Sequence, residues 1–213
     1  MARVKICGVT SIKDALMCAE LGADAVGTIV EVPVDTPRKI STSKASEIVA
    51  SLPLFVDSVA VVMPKSVEEA IGFFREIEPT ALQLHRKESP EFVRKLKESI
   101  SCRIIKSIPI RDESSLEDAR VYSELCDAIL LDSPSPKLGG SGETHNWELS
   151  RAIVRELKVP VILAGGLTPE NVADAVAFVR PYAVDVSSGV EIEGEKGKKD
   201  YTKVKEFIER ARG

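Results

Sequence analysis

An α/β fold, a single-domain (β/α)8 barrel of the TIM type spanning residues 1–213, is what the sequence predicts, on three observations. Short apolar, β-branched runs alternate with amphipathic stretches along the whole chain. Strands that alternate with helices pair in parallel, because antiparallel neighbours need only hairpins. The centres of the runs are almost wholly apolar, as in strands buried on both faces. About eight such units in a little over 200 residues match a compact barrel. An open doubly wound sheet is the structural rival, but it has fewer units, and the first strand-to-helix turn lacks G-x-G-x-x-G.

In order, the strands are expected over 4–7, 25–30, 58–63, 81–85, 103–108, 128–132, 160–164 and 183–187. Helices are expected between and after them, over 13–21, 43–51, 67–77, 90–99, 115–125, 147–157, 169–179 and 201–212. Ser66-x-x-Glu69 reads as a capping box, in which hydroxyl and carboxylate satisfy orphan backbone donors reciprocally. Ser89-Pro90 and Thr168-Pro169 each set a capping oxygen before a proline whose missing N–H goes unneeded at a helix start. No linker, low-complexity tract or repeat divides the chain.

Composition narrows the function classes. The chain has 29 Lys+Arg against 33 Asp+Glu, a net charge of −4, and 44% hydrophobic residues. That apolar fraction fills a core and excludes disorder. Mild acidity offers no electrostatic footprint for nucleic acid. No run approaches the roughly 18 apolar residues of a membrane span. The start, Met1-Ala2-Arg3-Val4-Lys5, enters a strand without the apolar segment of a signal peptide. Four cysteines, at 7, 18, 102 and 126, show no C-x-x-C spacing, which fits a reducing, cytoplasmic setting.

In a (β/α)8 barrel the site is built from the C-terminal strand ends and the loops that follow. Reactive residues at those ends are Cys7, Arg38 after the second strand, His85, Asp132, the Gly165-Gly166 pair and Ser187-Ser188-Gly189. A cysteine at Cys7 is either a small buried hydrophobe or, as thiolate, a base or nucleophile. A carboxylate at Asp132 either caps the next loop or faces the cavity. An acid working near neutral pH needs a raised pKa, which desolvation supplies. The two glycine-containing loops, with a helix start expected at Thr168-Pro169, favour a phosphate ester at the barrel's usual phosphate position. His85 lines the pocket or is a satisfied structural histidine, and His145 has no assigned role. Cys18, Cys102 and Cys126 read as packing residues.

Several motifs together carry a family resemblance: VKICGVT (4–10), TPRKI (36–40), ALQLH (81–85), ILLDS (129–133), GGSG (139–142), LAGGLTPENV (163–172) and AVDVSSGVE (183–191). On these, nearly the whole chain resembles phosphoribosylanthranilate isomerase of tryptophan biosynthesis. The resemblance implies a cofactor-free, metal-free Amadori rearrangement of N-(5-phosphoribosyl)anthranilate. It implies that Cys7 is the general base, Asp132 the general acid and Arg38 the holder of the anthranilate carboxylate. The phosphate falls to Gly165, Gly166, Ser187, Ser188 and Gly189, and His85 lines the substrate pocket. The partner is thus a small phosphosugar–anthranilate substrate, with no nucleic acid or membrane, on a monomer or homodimer. The glycine-rich segment 137–145 reads as a mobile lid. Three departures from the family pattern touch pocket lining and lid anchoring: Arg86 after Q-L-H, Thr28 in the second strand, and His145-Asn146 before Trp147.

Competing readings are a sister phosphosugar isomerase of the histidine pathway, a metal-dependent pentulose-phosphate epimerase, and a phosphate-binding barrel without catalysis. The first usually pairs two Asp and repeats its phosphate motif. The second needs more than two His. Cys7 together with Asp132 argues against the third.

Overall fold

A computed structural model describes residues 1–134 and 144–213. Its strands are β1 (Arg3–Ile6), β2 (Ala25–Val30), β3 (Lys39–Ile40), β4 (Asp57–Val62), β5 (Ala81–Leu84), β6 (Arg103–Pro109), β7 (Ala128–Asp132), β8 (Val161–Leu163) and β9 (Ala183–Val186). All but β3 form a closed parallel ring in the order β1-β2-β4-β5-β6-β7-β8-β9, with β9 returning to β1. The helices are α1 (Ile12–Glu20), α2 (Thr42–Ser51), α3 (Val67–Ile77), α4 (Pro90–Ser99), α5 (Ser114–Ser123), α6 (Trp147–Glu156), α7 (Val172–Val179) and α8 (Tyr201–Arg212). This is the (β/α)8 barrel that the alternation of runs predicts.

Side chains alternate across each strand, so the ring has two apolar surfaces. Val4, Ile6, Val184 and Val186 pack outward against α1, α7 and α8 residues such as Cys18, Val172 and Phe207. Leu82, Leu84, Ile129 and Leu131 do the same on the opposite side, among Phe73, Val93, Leu96 and Cys126. The ring interior is lined by smaller groups, including Val59, Ala81, Ala128, Leu130 and Ala183. Lys5, Gln83 and Asp185 alternate with the outward residues and therefore point inside, where each is less than a tenth exposed.

Local chemistry sets the helix starts. The hydroxyls of Ser11, Ser41, Ser66 and Ser89 each accept the N–H three residues on, at 3.1–3.2 Å. At Ser66 only half of the expected capping box forms, because the Glu69 carboxylate takes the N–H of Lys65 instead. The expected helix start at Thr168-Pro169 is corrected: residues 169–171 form a turn and α7 begins at Val172. The Asn171 side chain explains the delay. Its Oδ1 accepts the Thr168 N–H and its Nδ2 donates to the Gly166 carbonyl, each at 2.9 Å, pinning the turn.

Five expected strand ends, Cys7, Met63, His85, Ala164 and Ser187, lie one residue past the ladder. At the mouth Cys7, His85 and Ala164 each keep one backbone bond to the neighbouring strand. Strand β3 is an addition. It pairs with the end of β2 (Ile29 with Lys39, Val30 with Ile40) and so carries the loop bearing Arg38 back to the barrel rim.

Candidate active site

Strand order brings β1, β9, β8 and β7 together as consecutive neighbours, so Cys7, Ser187, Gly165 and Asp132 occupy one side of the mouth. Asp132 ends β7 facing inward. One oxygen accepts the Ser133 N–H at 2.9 Å, and the other lies 3.7 Å from His85 Nε2. Burial pushes the Asp132 carboxyl up to about 6, and the charge of Asp185 adds to the push, against the Ser133 N–H and Lys5. Burial also holds His85 down to about 4, with the cations of Lys106 and Lys5 adding, so His85 is neutral at pH 7. Its Nδ1 is buried with no hydrogen-bond partner among the described residues, and so is the Ser187 hydroxyl. Unsatisfied groups of this kind are costly unless a ligand meets them.

Cys7 is buried at the foot of this cluster. Burial pushes its thiol above the ordinary range, the Lys5 ammonium pulls it back, and Asp185 pushes it further up. At rest Cys7 is therefore a thiol. Cys18 and Cys126, pushed by burial up to about 12, lie in the two outer cores, and Cys102 packs at the edge of one. Those three are packing residues, as the sequence predicts.

Arg38 reaches the same mouth. A Cβ added at Gly8 would lie 2.8 Å from Arg38 Cδ and 2.7 Å from the Ser187 hydroxyl, so Arg38 borders the residue next to Cys7. Its guanidinium is engaged: Nε and Nη2 lie 2.6 and 2.7 Å from the two oxygens of Glu191. This is the bidentate fork geometry by which arginine holds carboxylates. Lys199, buried, also lies 3.2 Å from Glu191 and donates to the Ser187 carbonyl at 3.0 Å. Burial works against the Glu191 carboxylate, but Arg38 and Lys199 outweigh it and its pKa falls below the usual range.

The loops after β8 and β9 touch backbone to backbone. A Cβ at Gly189 would run into the Leu167 carbonyl oxygen, so only glycine permits this approach. Gly165 takes φ +83° and lies against Ser133, which links the same cradle to the end of β7. Ser188–Val190 form a 3-10 turn, whose leading N–H groups have no partner within the turn. The cradle is thus two tight loops and a short turn, rather than the long helix start expected at Thr168-Pro169.

The departures resolve differently. Thr28 faces the helices with Val26 and Val30 and is buried there, so it does not line the pocket. Arg86 is exposed, and its backbone is what Glu88 and Lys106 hold. His145 has a structural part: its ring nitrogens meet the hydroxyls of Ser133 at 3.2 Å and Ser150 at 2.6 Å. Asn146 caps α6 through the Glu148 N–H. The expected lid over 137–145 lies outside the described residues except for its last two positions.

Four charged residues of the site escape a strand-end reading: Lys5, Asp185, Glu191 and Lys199. The readable signal for the first two was a charge inside an otherwise apolar strand, V-K-I and V-D-V. Nothing in the sequence pairs Arg38 with Glu191 across 153 positions.

Residues 4–210 match the family model described as N-(5'phosphoribosyl)anthranilate (PRA) isomerase. The chain belongs to that family. An N-(5'-phosphoribosyl)anthranilate isomerase of Methanocella arvoryzae is 49% identical over 213 residues, covering 100% of this chain and 99% of the relative. The crystal structure of phosphoribosyl anthranilate isomerase from Thermotoga maritima superposes with a TM-score of 0.89 at 42% identity, covering both chains fully. Another isomerase structure of the family, solved in complex with reduced 1-(o-carboxyphenylamino)-1-deoxyribulose 5-phosphate, gives 0.86 at 39% identity, again over the whole of both chains. The resemblance read from seven motifs therefore holds over the entire isomerase fold.

Proposed function

We propose that this chain isomerises N-(5-phosphoribosyl)anthranilate to 1-(2-carboxyphenylamino)-1-deoxyribulose 5-phosphate in tryptophan biosynthesis, with Asp132 as general acid and Cys7 as general base. The observation that carries the assignment of roles is the buried Asp132, raised to about 6 at the inward end of β7, in the same mouth as Cys7. Family membership supports the reaction class, and a relative's complex with a reduced product analogue supports the ligand class.

Asp132, while protonated, gives its proton to the furanose ring oxygen, and the C1–O bond opens to leave an iminium at C1. The Cys7 thiolate then takes the proton from C2. The electron pair of that C–H bond neutralises the iminium and forms the enolamine, which tautomerises to the ketone. Asp132 ends as carboxylate and Cys7 as thiol, and solvent exchange resets both. One group starts protonated and the other deprotonated, as paired acid–base work requires.

Binding falls to groups at the two ends. Arg38 offers the Nη1 side of its guanidinium to the anthranilate carboxylate, with Glu191 holding the Nε–Nη2 edge in place. The Gly165-Gly166 and Ser187-Ser188-Gly189 loops take the phosphate through backbone N–H groups and the Ser187 hydroxyl, which is buried without a partner among the described residues. Two anchors limit the sugar's orientational freedom between acid and base. His85, neutral and 3.7 Å from Asp132, lines the pocket beside the acid.

A base that works as thiolate suits a reducing compartment, which supports a cytoplasmic location. No helix among the described residues is long and apolar enough to cross a membrane. A relative from Thermotoga maritima is described as dimeric. Here Leu54 and Phe55 are 86% and 101% exposed at the loop before β4, and we read this apolar tip as a contact with a second copy. Conversion of phosphoribosylanthranilate by the purified protein tests the main reading, and absence of the ketone product overturns it.

A further inference from the structure

Beneath the acid and the base lies a buried ion pair that the reaction scheme leaves unused. Lys5 is 3% exposed and Asp185 is 8% exposed, and Lys5 Nζ lies 2.9 Å from Asp185 Oδ1. They come from neighbouring strands in direct register, since Lys5 of β1 pairs with Asp185 of β9. Two charges at strand centres inside a barrel are expensive to desolvate, and apolar residues there would stabilise the fold at least as well. The pair therefore calls for an explanation other than packing.

Its surroundings supply one. The Lys5 ammonium also acts on Cys7, two residues further along the chain and on the same inward face, where it draws the thiol's pKa down against burial. Gly27 of the adjacent strand makes room for this: a Cβ there would lie 2.9 Å from Cys7 Sγ, 3.0 Å from Lys5 Cε and 3.2 Å from Lys5 Nζ. A side chain at Gly27 would wedge the ammonium away from the sulfur. The charges that act on Cys7 are Lys5 from its own strand, Asp185 from β9 and Lys199 from the segment after β9. Asp132 and neutral His85 complete the mouth.

We infer that the Lys5–Asp185 pair shares one ammonium between two anions, the Asp185 carboxylate and the Cys7 thiolate, and so sets how much of Cys7 is available as a base. This rests on Cys7 being the base of the isomerase reaction. Lys5 and Asp185 are positioning residues: neither is asked to touch the substrate. Lys5 stabilises the thiolate, whereas Asp185 competes for the same ammonium and repels the thiolate. The two partners of one ion pair thus act on Cys7 with opposite sign. A pair that merely holds β1 to β9 would not do so, because losing either partner would weaken the same contact.

The test is the pH dependence of Cys7 alkylation by iodoacetamide, followed on the Cys7 peptide by mass spectrometry so that Cys18, Cys102 and Cys126 do not contribute. Lys5→Met is expected to move the midpoint up by about one pH unit or more, the usual range for a charge in contact. Asp185→Asn is expected to move it down. Lys5→Met leaves Asp185 buried and unpaired and is the variant most at risk of misfolding. The double variant Lys5→Met/Asp185→Asn carries no such ion, and its midpoint should stay above the parent's, because the pull of Lys5 on Cys7 exceeds the push of Asp185. Midpoints that do not move, or that move the same way in Asp185→Asn and in the variants lacking Lys5, overturn the inference. Alkylation needs no substrate, so this outcome is separable from loss of the isomerase reading, which would show as absent turnover in the parent.

Discussion

Replacing Asp132 with Asn, and following kcat/KM against pH in parent and variant, isolates what burial does to this carboxyl. Asp132 is raised from an ordinary 3.8 to about 6. At pH 7 about one molecule in ten then keeps the proton, against fewer than about one in a thousand for an unperturbed Asp, so burial enriches the acid form roughly 150-fold. Cys7 is pushed above the usual thiol range, so the form with thiolate and carboxylic acid is a minority at every pH. Below pH 6 Asp132 is fully protonated while the thiolate keeps falling, so kcat/KM should drop about tenfold per pH unit. Above pH 6 loss of the acid and gain of the thiolate cancel, and the profile should be level until Cys7 itself titrates. In Asp132→Asn the bend near 6 should vanish, the rate should keep rising with pH, and its level should lie about 10²–10⁴ lower. An isomerase assay across pH 4.5–9 reads both profiles. A parent bend near the ordinary Asp value, or an Asn variant within about threefold of the parent, would refute the account of Asp132.

Three further outcomes follow from the same geometry. Because folded Asp132 titrates above its unfolded value, its contribution to stability is complete below about 4 and is lost as pH rises through 6. Asp132→Asn, neutral throughout, should therefore be more stable than the parent at pH 8 by up to about 3 kcal/mol, with the difference closing toward pH 4 in denaturant unfolding. Arg38→Ala should raise KM about tenfold or more with a smaller change in kcat, and an unchanged KM would remove Arg38 from the carboxylate role. Phe55→Glu should shift the sedimentation coefficient from dimer to monomer, and a parent already monomeric at micromolar concentration would contradict the apolar-tip contact.

Legibility followed the range of the forces involved. The strands and most helix starts were readable because their signals are local: an apolar run buried on both faces, or a serine three residues before the N–H it caps. The start of α7 escapes the local proline signal because the Asn171 side chain takes the Thr168 N–H, a competition that such a signal does not carry. Strand β3, two residues long, has no periodicity to read. In the site, Cys7, Asp132 and the two glycine loops stand at strand ends, where the barrel puts its chemistry. Glu191, which holds Arg38, and Asp185 and Lys199, which act on Cys7, come from β9 and the segment after it, far along the chain, and only closure of the ring brings them near. Thr28 shows the converse. Its position in a motif marks it as a pocket residue, yet one step of strand alternation turns it toward the helices.

Single-turnover conversion of phosphoribosylanthranilate by the parent, Cys7→Ala and Asp132→Asn tests the central claim most directly, because it removes product release from the measured rate. The parent should form product, and each variant should lose about 10² or more. The double variant should fall little below the worse single one, since acid and base act on one substrate as a unit. Undiminished conversion by either single variant would contradict the assignment of that residue, and no conversion by the parent would contradict the isomerase account as a whole.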